Sequence, residues 1–380
     1  MKVGIITFHG SHNHGSVLQA YATQKTIESL GYESEIINFR MESQKRYYSL
    51  YPRGYGVWML GQDLLMLSFH HKRSLRAKKF EDFISKLSLS GPEMRNRNDL
   101  QSIVDTYDIY ITGSDQIWSN RIPELVGAKE DFTGVYFFDF ADNEKPRIAY
   151  ASSVGEITYD ELIGKKKWLD KFVAISTREQ YGVDLLKRIV DKNVELVLDP
   201  TFLLNKDQWG EIADEERLIK EPYVFLYTLH GLKHGMKWGK ALTEFGKRKG
   251  LKVVAVSPFF PITATGVHNV MDAGPLDFLN LIKNAELVFT DSFHGTAFSI
   301  NMNKPFYSYV GKNTGDNRKL GIMRQFGLAG RALESLEDTG KIEEYGLNYE
   351  KYNELIDGAR ERSRKWLSDS LQDVKSRKDS

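Results

Sequence analysis

The sequence predicts an α/β protein of two doubly wound domains, each a parallel sheet with helices on its faces. Three observations predict it. Short apolar runs alternate with helical segments along most of the chain. Residues 1–40 already complete one β-α-β unit. The alternation stops at a polar stretch near the middle and then resumes.

Taken in order, the first unit has a strand from Val3 to Phe8, a turn-rich loop His9-Gly10-Ser11-His12-Asn13-His14-Gly15, a helix from Ser16 to Leu30 stopped by Gly31, and a second strand from Glu35 to Phe39. Buried strands follow at Asp108–Thr112, Arg147–Ala151, Phe172–Ser176 and Val194–Leu198. Between residues 41 and 101 the pattern loosens into an insertion. It holds an apolar stretch from Val57 to Phe69, broken by Gln62 and Asp63, and a basic run from His70 to Lys79. The apolar stretch is too short to span a bilayer. The basic run reads as a solvated helix at the sheet edge, a lid, or a face for an anionic membrane surface.

The polar residues Asn205 to Pro222 read as a linker. After them come Tyr223–Leu229, helix Met236–Lys249, Leu251–Ser257, helix Pro275–Asn284, Glu286–Thr290, helix His294–Asn301 and Pro305–Val310. An amphipathic helix from Tyr352 to Val374 ends the chain and is expected to fold back on the first domain. The expected division is 1–205, linker 206–222, second domain 223–345 and terminal helix 346–380.

Composition agrees with this plan and removes several functions. At a soft prior of about 150 residues per domain, 380 residues suit two domains with real cores. With 41% hydrophobic and 27% charged residues, the chain is neither disordered nor collagen-like. A net charge of +1 argues against a general nucleic-acid binder. The absence of cysteine excludes thiol nucleophiles, disulfides, thiolate zinc sites and iron–sulfur clusters, and it suits a reducing compartment. Met1-Lys2-Val3-Gly4-Ile5-Ile6 reads as a first strand rather than a signal peptide, so a cytoplasmic protein is expected.

In open parallel sheets ligands bind beyond the carboxyl ends of the strands, where helix N-termini offer free N–H groups and partial positive charge. Four strand ends carry polar residues of interest. After Glu286–Thr290 comes Asp291-Ser292-Phe293-His294-Gly295-Thr296, an opening turn suited to binding an anion and delivering a proton beside it. The structural alternative is that Asp291 or Ser292 caps the helix and His294 only packs.

After Asp108–Thr112 comes Gly113-Ser114-Asp115-Gln116-Ile117-Trp118. Asp115 and Gln116 can hold sugar hydroxyls and Trp118 can stack on a sugar face, or the tryptophan is simply core. The loop after the first strand brings Asn13 and His14 toward a ligand; its histidine spacing fits no zinc pattern, and no metal is expected. It is not a GxGxxG fingerprint, so no dinucleotide is indicated. Arg178, after Phe172–Ser176, can fork onto a carboxylate or phosphate, or pair with an acid such as Glu179.

Read together, Asn13-His14-Gly15-Ser16-Val17-Leu18-Gln19-Ala20-Tyr21-Ala22, Gly113-Ser114-Asp115-Gln116-Ile117-Trp118, Ser176-Thr177-Arg178-Glu179, Leu198-Asp199-Pro200-Thr201 and Thr290-Asp291-Ser292-Phe293-His294-Gly295 resemble the polysaccharide pyruvyl transferase family, in its order. The resemblance implies two Rossmann-like domains in a GT-B-like arrangement, and transfer of pyruvate from phosphoenolpyruvate to a sugar diol as a ketal. The acceptor it implies is a cell-surface glycan or its lipid-linked precursor, reached in the cytoplasm or at the inner membrane face, with no cofactor beyond the donor itself. By the same resemblance His294 matches a proposed general acid and Arg178 a donor-holding arginine. Asp115 is the candidate to orient or deprotonate the acceptor. Ser292, Gly295 and Thr296 would hold the donor; Asn13, His14, Gln116 and Trp118 would hold the acceptor.

One position departs from the family. It carries an arginine two residues before the matching histidine, and here that residue is Ser292. Arg318 or Lys319 would have to supply the missing cation. The departure leaves open a glycosyltransferase that uses a nucleotide sugar, or a glycan-binding relative without catalysis.

Overall fold

The computed structural model describes residues 1–50, 66–125, 132–141, 144–213, 215–229, 232–258, 260–311 and 317–379. Most of the apolar stretch from Val57 onward therefore lies outside the described residues.

Two six-stranded sheets, parallel throughout, organise the chain. The first runs in the order β2-β1-β3-β4-β5-β6, with β1 Lys2–Ile6, β2 Glu33–Ile36, β3 Ile109–Thr112, β4 Arg147–Ala149, β5 Phe172–Thr177 and β6 Val194–Leu196. The second runs β12-β11-β10-β7-β8-β9, with β7 Tyr223–Tyr227, β8 Lys252–Val256, β9 Val267–Asn269, β10 Leu287–Thr290, β11 Phe306–Tyr309 and β12 Ala332–Leu333. Counted within its own half, this second order is the Rossmann 3-2-1-4-5-6 read from the other edge. Strands such as β3 and β7 are buried at every position, as sheets covered on both faces require. The expectation missed β9 and β12. Both are short edge strands, and β9 has no buried position to leave an apolar run in the sequence.

The helices that matter for function are α1 His14–Ser29, α2 His70–Ile84, α3 Pro275–Asn284, α4 Phe293–Asn301 and α5 Glu350–Asp379. In α1 the side chain of Asn13 caps the first turn, accepting from the N–H groups of Gly15 at 3.0 Å and Ser16 at 3.4 Å. Gly31, at φ +86°, takes the left-handed turn that ends the unit.

The insertion is more ordered than its composition suggests. Its basic helix α2 makes contacts to both halves of the molecule, and the chain that follows it pairs with the edge strand β2. Arg76 donates to the carbonyls of His12 at 2.9 Å in the first half and Pro258 at 2.7 Å in the second. Lys79 reaches Asp277 on α3 at 2.8 Å. Two of the five lysines and arginines in the run, Arg76 and Lys79, thus join the domains rather than face solvent or lipid.

The linker stretch likewise opens with a helix, Lys206–Ile212, whose capping box is Asn205 with Gln208 and whose Trp209 is fully buried. Helix α5 folds back as expected. Its Ser363 accepts from the Leu198 N–H at 2.9 Å, while Arg360 donates to Phe202 O at 2.6 Å and to Asn301 of α4 at 2.9 Å. Among the described residues no helix is long and apolar enough to cross a membrane.

Candidate active site

Each sheet has a switch point where successive connections leave in opposite directions, and there the strand ends open a crevice. In the first sheet it lies between β1 and β3. The Thr7 hydroxyl donates to Ser114 O at 3.2 Å, and Gln19 of α1 bridges the two loops, donating to Thr7 Oγ1 at 2.7 Å and accepting from Ser114 N at 3.0 Å. In the second sheet it lies between β7 and β10. There the Asp291 carboxylate accepts from Leu229 N at 2.8 Å and from the Thr228 hydroxyl. The two crevices face each other.

Across this seam four elements deliver one buried cluster. Helix α4 carries His294 in its first turn, capped by Ser292, whose hydroxyl accepts from Gly295 N at 3.3 Å. His294 Nε2 lies 3.7 Å from Asp199 Oδ2 and has no hydrogen-bond partner among the described residues. Its other ring nitrogen faces α1 so closely that a Cβ on Gly15 would fall 2.0 Å from it. Glycine at position 15 is therefore what lets the two helix starts meet.

Asp199 comes from the end of the first half, just beyond β6. Its Oδ1 accepts from Thr201 N at 3.0 Å and Oγ1 at 2.8 Å, the usual business of a helix cap. Its Oδ2 accepts from Arg178 at 2.5 Å and from the Ser114 hydroxyl at 3.1 Å. Arg178 also reaches Asp115 at 3.4 Å and lies 4.4 Å over the ring of Phe293 from the opposite domain. Asp115 holds a left-handed φ of +73° and accepts from Ser16 Oγ at 2.5 Å and its neighbour's Gln116 N at 2.8 Å. Unfavourable backbone of this kind tends to persist where a side chain must be aimed.

Burial of this many charges sets their titration. Burial alone would raise the Asp199 carboxyl most, but Arg178, then His294 and the Thr201 N–H hold it well below the carboxylate range. Asp115 follows the same pattern: burial opposes, while Arg178, His294 and Ser16 prevail, and it too is lowered. Arg178 is raised, because Asp199, Asp115 and Glu179 outweigh its desolvation. Glu179 is raised, burial outweighing Arg178 and Arg318. The cluster is an Asp-Arg-Asp triad with Glu179, its carboxyl raised by burial, beside Arg178, and with an unsatisfied imidazole nitrogen next to Asp199.

The residues singled out from sequence divide into two groups. His294, Arg178 and Asp115 are brought together in the cluster. Arg318 acts across the seam, since its charge is one of those that lower Glu179. Asn13 and Gln116 line a cavity beside it. The others serve structure. His14 is fully buried, stacked 5.0 Å from Phe278 and bonded to Tyr227 at 3.3 Å and Ala273 O at 3.0 Å, so it joins domains and faces no ligand. Trp118 is fully buried, stacked 4.9 Å from Phe137, with its N–H on Tyr136 O at 3.2 Å; it is core and offers no platform for a sugar. The Thr296 hydroxyl is buried and shared between Ser292 O at 3.0 Å and Ser308 at 2.7 Å. Ser292 and Gly295 satisfy each other, so this helix start is closed by its own cap where an open anion nest was expected. Lys319 donates to the carbonyls of Asp291 at 2.7 Å and Tyr309 at 2.6 Å, holding loops beside the seam.

Residue-level reading gave no role to Asp199, Ser114 or Ser16. A signal existed for the first: Asp-Pro-Thr after a buried strand places a carboxylate at a strand end and a helix start together.

The polysaccharide pyruvyl transferase family profile matches residues 13–313. No curated protein matches the chain. Among solved structures, UDP-N-acetylglucosamine 2-epimerase from Rickettsia bellii is 11% identical, with a TM-score of 0.55 and 99% of this chain and 97% of that one covered. The UDP-GlcNAc 2-epimerase of Neisseria meningitidis, bound to UDP-GlcNAc, is 12% identical, with a TM-score of 0.51 and 98% and 100% covered. At these identities the likeness is one of fold, two Rossmann-like domains in a GT-B-like arrangement. The motifs that build the seam all fall within the matched span, and the chain belongs to the polysaccharide pyruvyl transferase family.

Proposed function

We propose that this transferase moves the pyruvyl group of phosphoenolpyruvate onto two hydroxyls of one sugar as a ketal, releasing phosphate, and that the acceptor is a cell-surface glycan or its lipid-linked precursor. The observation that carries the reading is the His294 Nε2 atom, unpartnered and buried, aimed at the Asp199–Arg178–Asp115 triad where the two switch points meet.

In this reading His294 gives a proton to the methylene carbon of the donor, and the adjoining carbon becomes oxocarbenium-like. A sugar hydroxyl adds there, its proton passing to Asp115. Phosphate then departs with the electrons of its C–O bond. The second hydroxyl adds to the same carbon and loses its proton, which closes the ring. One C–H and two C–O bonds form, the C=C π bond and one C–O bond break, and of the two hydroxyl protons one replaces that given by His294 while the other leaves with the departing phosphate. Asp199 holds both His294 and Arg178 in position. The donor carboxylate takes the longer of the two contacts of Arg178, that to Asp115, while Asp199 keeps the other. Arg318 supplies the cation that Ser292 does not, in a site whose walls exclude water and strengthen each charge.

A nucleotide-sugar donor is the second reading. It is favoured by Ser292 and by the fold likeness to an epimerase described as bound to UDP-GlcNAc.

A thermal-shift titration separates the two, because a ligand selective for the native state raises its melting temperature. Phosphoenolpyruvate should give a saturable shift, and phosphate release should require a sugar acceptor. His294→Ala should keep the fold and lower kcat by about 10²- to 10⁴-fold, the usual worth of a positioned acid. A shift with nucleotide sugars alone, or a fully active His294→Ala, rejects the pyruvyl mechanism.

A further inference from the structure

Beside the cluster, with Asp115 in its wall and Arg178 not among its lining residues, lies a cavity of ≈ 170 Å³. Tyr48, Asn13, Asp115, Gln116 and Glu124 line it from the first domain, and Pro258 is among those from the second. That is well under the ~300 Å³ at which sites for larger ligands begin, a space on the scale of one sugar ring.

Its chemistry is that of a polyol site. Among the described residues lining it the ionisable side chains are His12, Tyr47, Tyr48, Asp115 and Glu124, with no lysine or arginine. His12 is committed outward to Glu81 at 2.8 Å and stacks 5.2 Å from Phe80. Arg76 lies behind the wall, donating to the carbonyls of His12 and Pro258. The Tyr48 hydroxyl donates to Glu124 at 2.6 Å, which sets a phenol and a carboxyl side by side on the wall.

A second observation points the same way. Tyr136, 1% exposed, has a hydroxyl with no hydrogen-bond partner among the described residues, and the charges that act on it are those of Asp115 and Glu124. Its ring packs 5.0 Å from Phe8, which lines the cavity, and a buried phenol left unsatisfied there is a donor that a bound water or a ligand hydroxyl completes.

We infer that this cavity is the subsite for a single uncharged sugar ring of the acceptor, with Tyr48 and Glu124 selecting hydroxyl-bearing rings and rejecting acidic or phosphorylated ones. The inference rests on the transferase reading above and adds the class of acceptor. Asp115 is the wall shared with the catalytic cluster. A ring hydroxyl bonded to it therefore stands next to the reacting centre, while the negative lining keeps the anionic donor on the Arg178 side. Tyr48 and Glu124 act here as specificity residues.

The experiment uses the full chain without donor. Methyl glycosides of galactose, glucose and mannose, and the methyl glycoside of glucuronic acid, are titrated by saturation-transfer NMR. At least one neutral glycoside should bind saturably, and the glucuronide should bind about tenfold more weakly or worse, as an unpaired anion facing carboxylates must. Tyr48→Phe and Glu124→Gln, both near-isosteric, should each weaken the neutral glycoside by about five- to tenfold and leave the phosphoenolpyruvate shift unchanged. The inference is overturned by a glucuronide that binds as well as its neutral counterpart, by variants that bind as wild type does, or by no neutral glycoside binding at all. The two readings fail separately. If phosphoenolpyruvate gives no shift while a glycoside still binds through Glu124, the donor assignment falls and the sugar subsite stands.

Discussion

Asp199 serves two masters: one oxygen caps a helix, and the other holds Arg178, Ser114 and the edge of His294. The Asp199 carboxylate is fully buried and the Arg178 side chain 1% exposed, so either charge left alone would face a low dielectric without compensation. Removing one partner of a buried pair is destabilising by about 3–5 kcal/mol, although the intact pair contributes far less to net stability. Asp199→Ala and Arg178→Ala should each fall in that range by urea unfolding. The double variant should lose clearly less than the sum of the two, since no orphan charge remains. Additive losses would mean that the pair is not the unit described. Gly15 acts at the same scale by having no side chain. Gly15→Ala should push the imidazole of His294 off its line to Asp199 and lower kcat more than KM, with the melting temperature as the control for global damage.

The starts of α1 and α4 meet across the seam, and the burial of this junction gives it a pH signature. Burial, and then the charge of Arg76, depress His14 from 6.5 to about 3; burial, and then Arg40, depress His9 to about 4. A base whose folded pKa is lowered stays neutral in the native state while the unfolded chain takes up protons. Stability is therefore complete above pH 6.5 and declines as pH falls toward 4 and then 3, by about 1.4 kcal/mol per pH unit for each histidine. His14→Gln should roughly halve the slope of unfolding free energy between pH 6 and about 4.5 in urea titrations; an unchanged slope would exclude His14 as a source. These same elements show what a sequence conveys. Strands buried on both faces, such as β7 and β10, were legible as apolar runs, and α3 was legible from Pro275 at its first position. The strand-end rule also found Asp115, Arg178 and His294. It could not tell that Trp118 and His14 turn inward, because a strand end fixes where a loop begins and not which way its side chains point. Nor could it find that Asp199 joins His294, since that contact depends on how two domains are docked and leaves no local periodicity.

At the scale of the whole molecule, the site exists only where two switch points are held face to face, so what holds the domains decides whether it is assembled. Among the described residues the polar ties that do this include His14 to Ala273 O, Asn301 to the carbonyls of Thr201 and Leu204, Arg360 of α5 to Phe202 O and Asn301, and α2 through Arg76 and Lys79. Of these α2 is the outer strap, and its Arg76 closes over the walls of the sugar cavity. Its outer turn carries the exposed Lys72 and the half-buried Arg73. Arg76→Ala with Lys79→Ala removes three bridging hydrogen bonds, two of them from a guanidinium, each worth about 1.5–3 kcal/mol when made to or by a charged group. The double variant should lower the melting temperature, split the calorimetric transition and raise the radius of gyration in solution scattering. Glycoside affinity should fall along with it, because Pro258 then leaves the cavity wall. Charge reversal at Lys72 and Arg73 should change none of these readings. If it lowers partition onto vesicles containing anionic lipid, the outer turn of α2 is a membrane contact as well as the start of a strap; unchanged partition removes that contact and leaves α2 with its interdomain task alone.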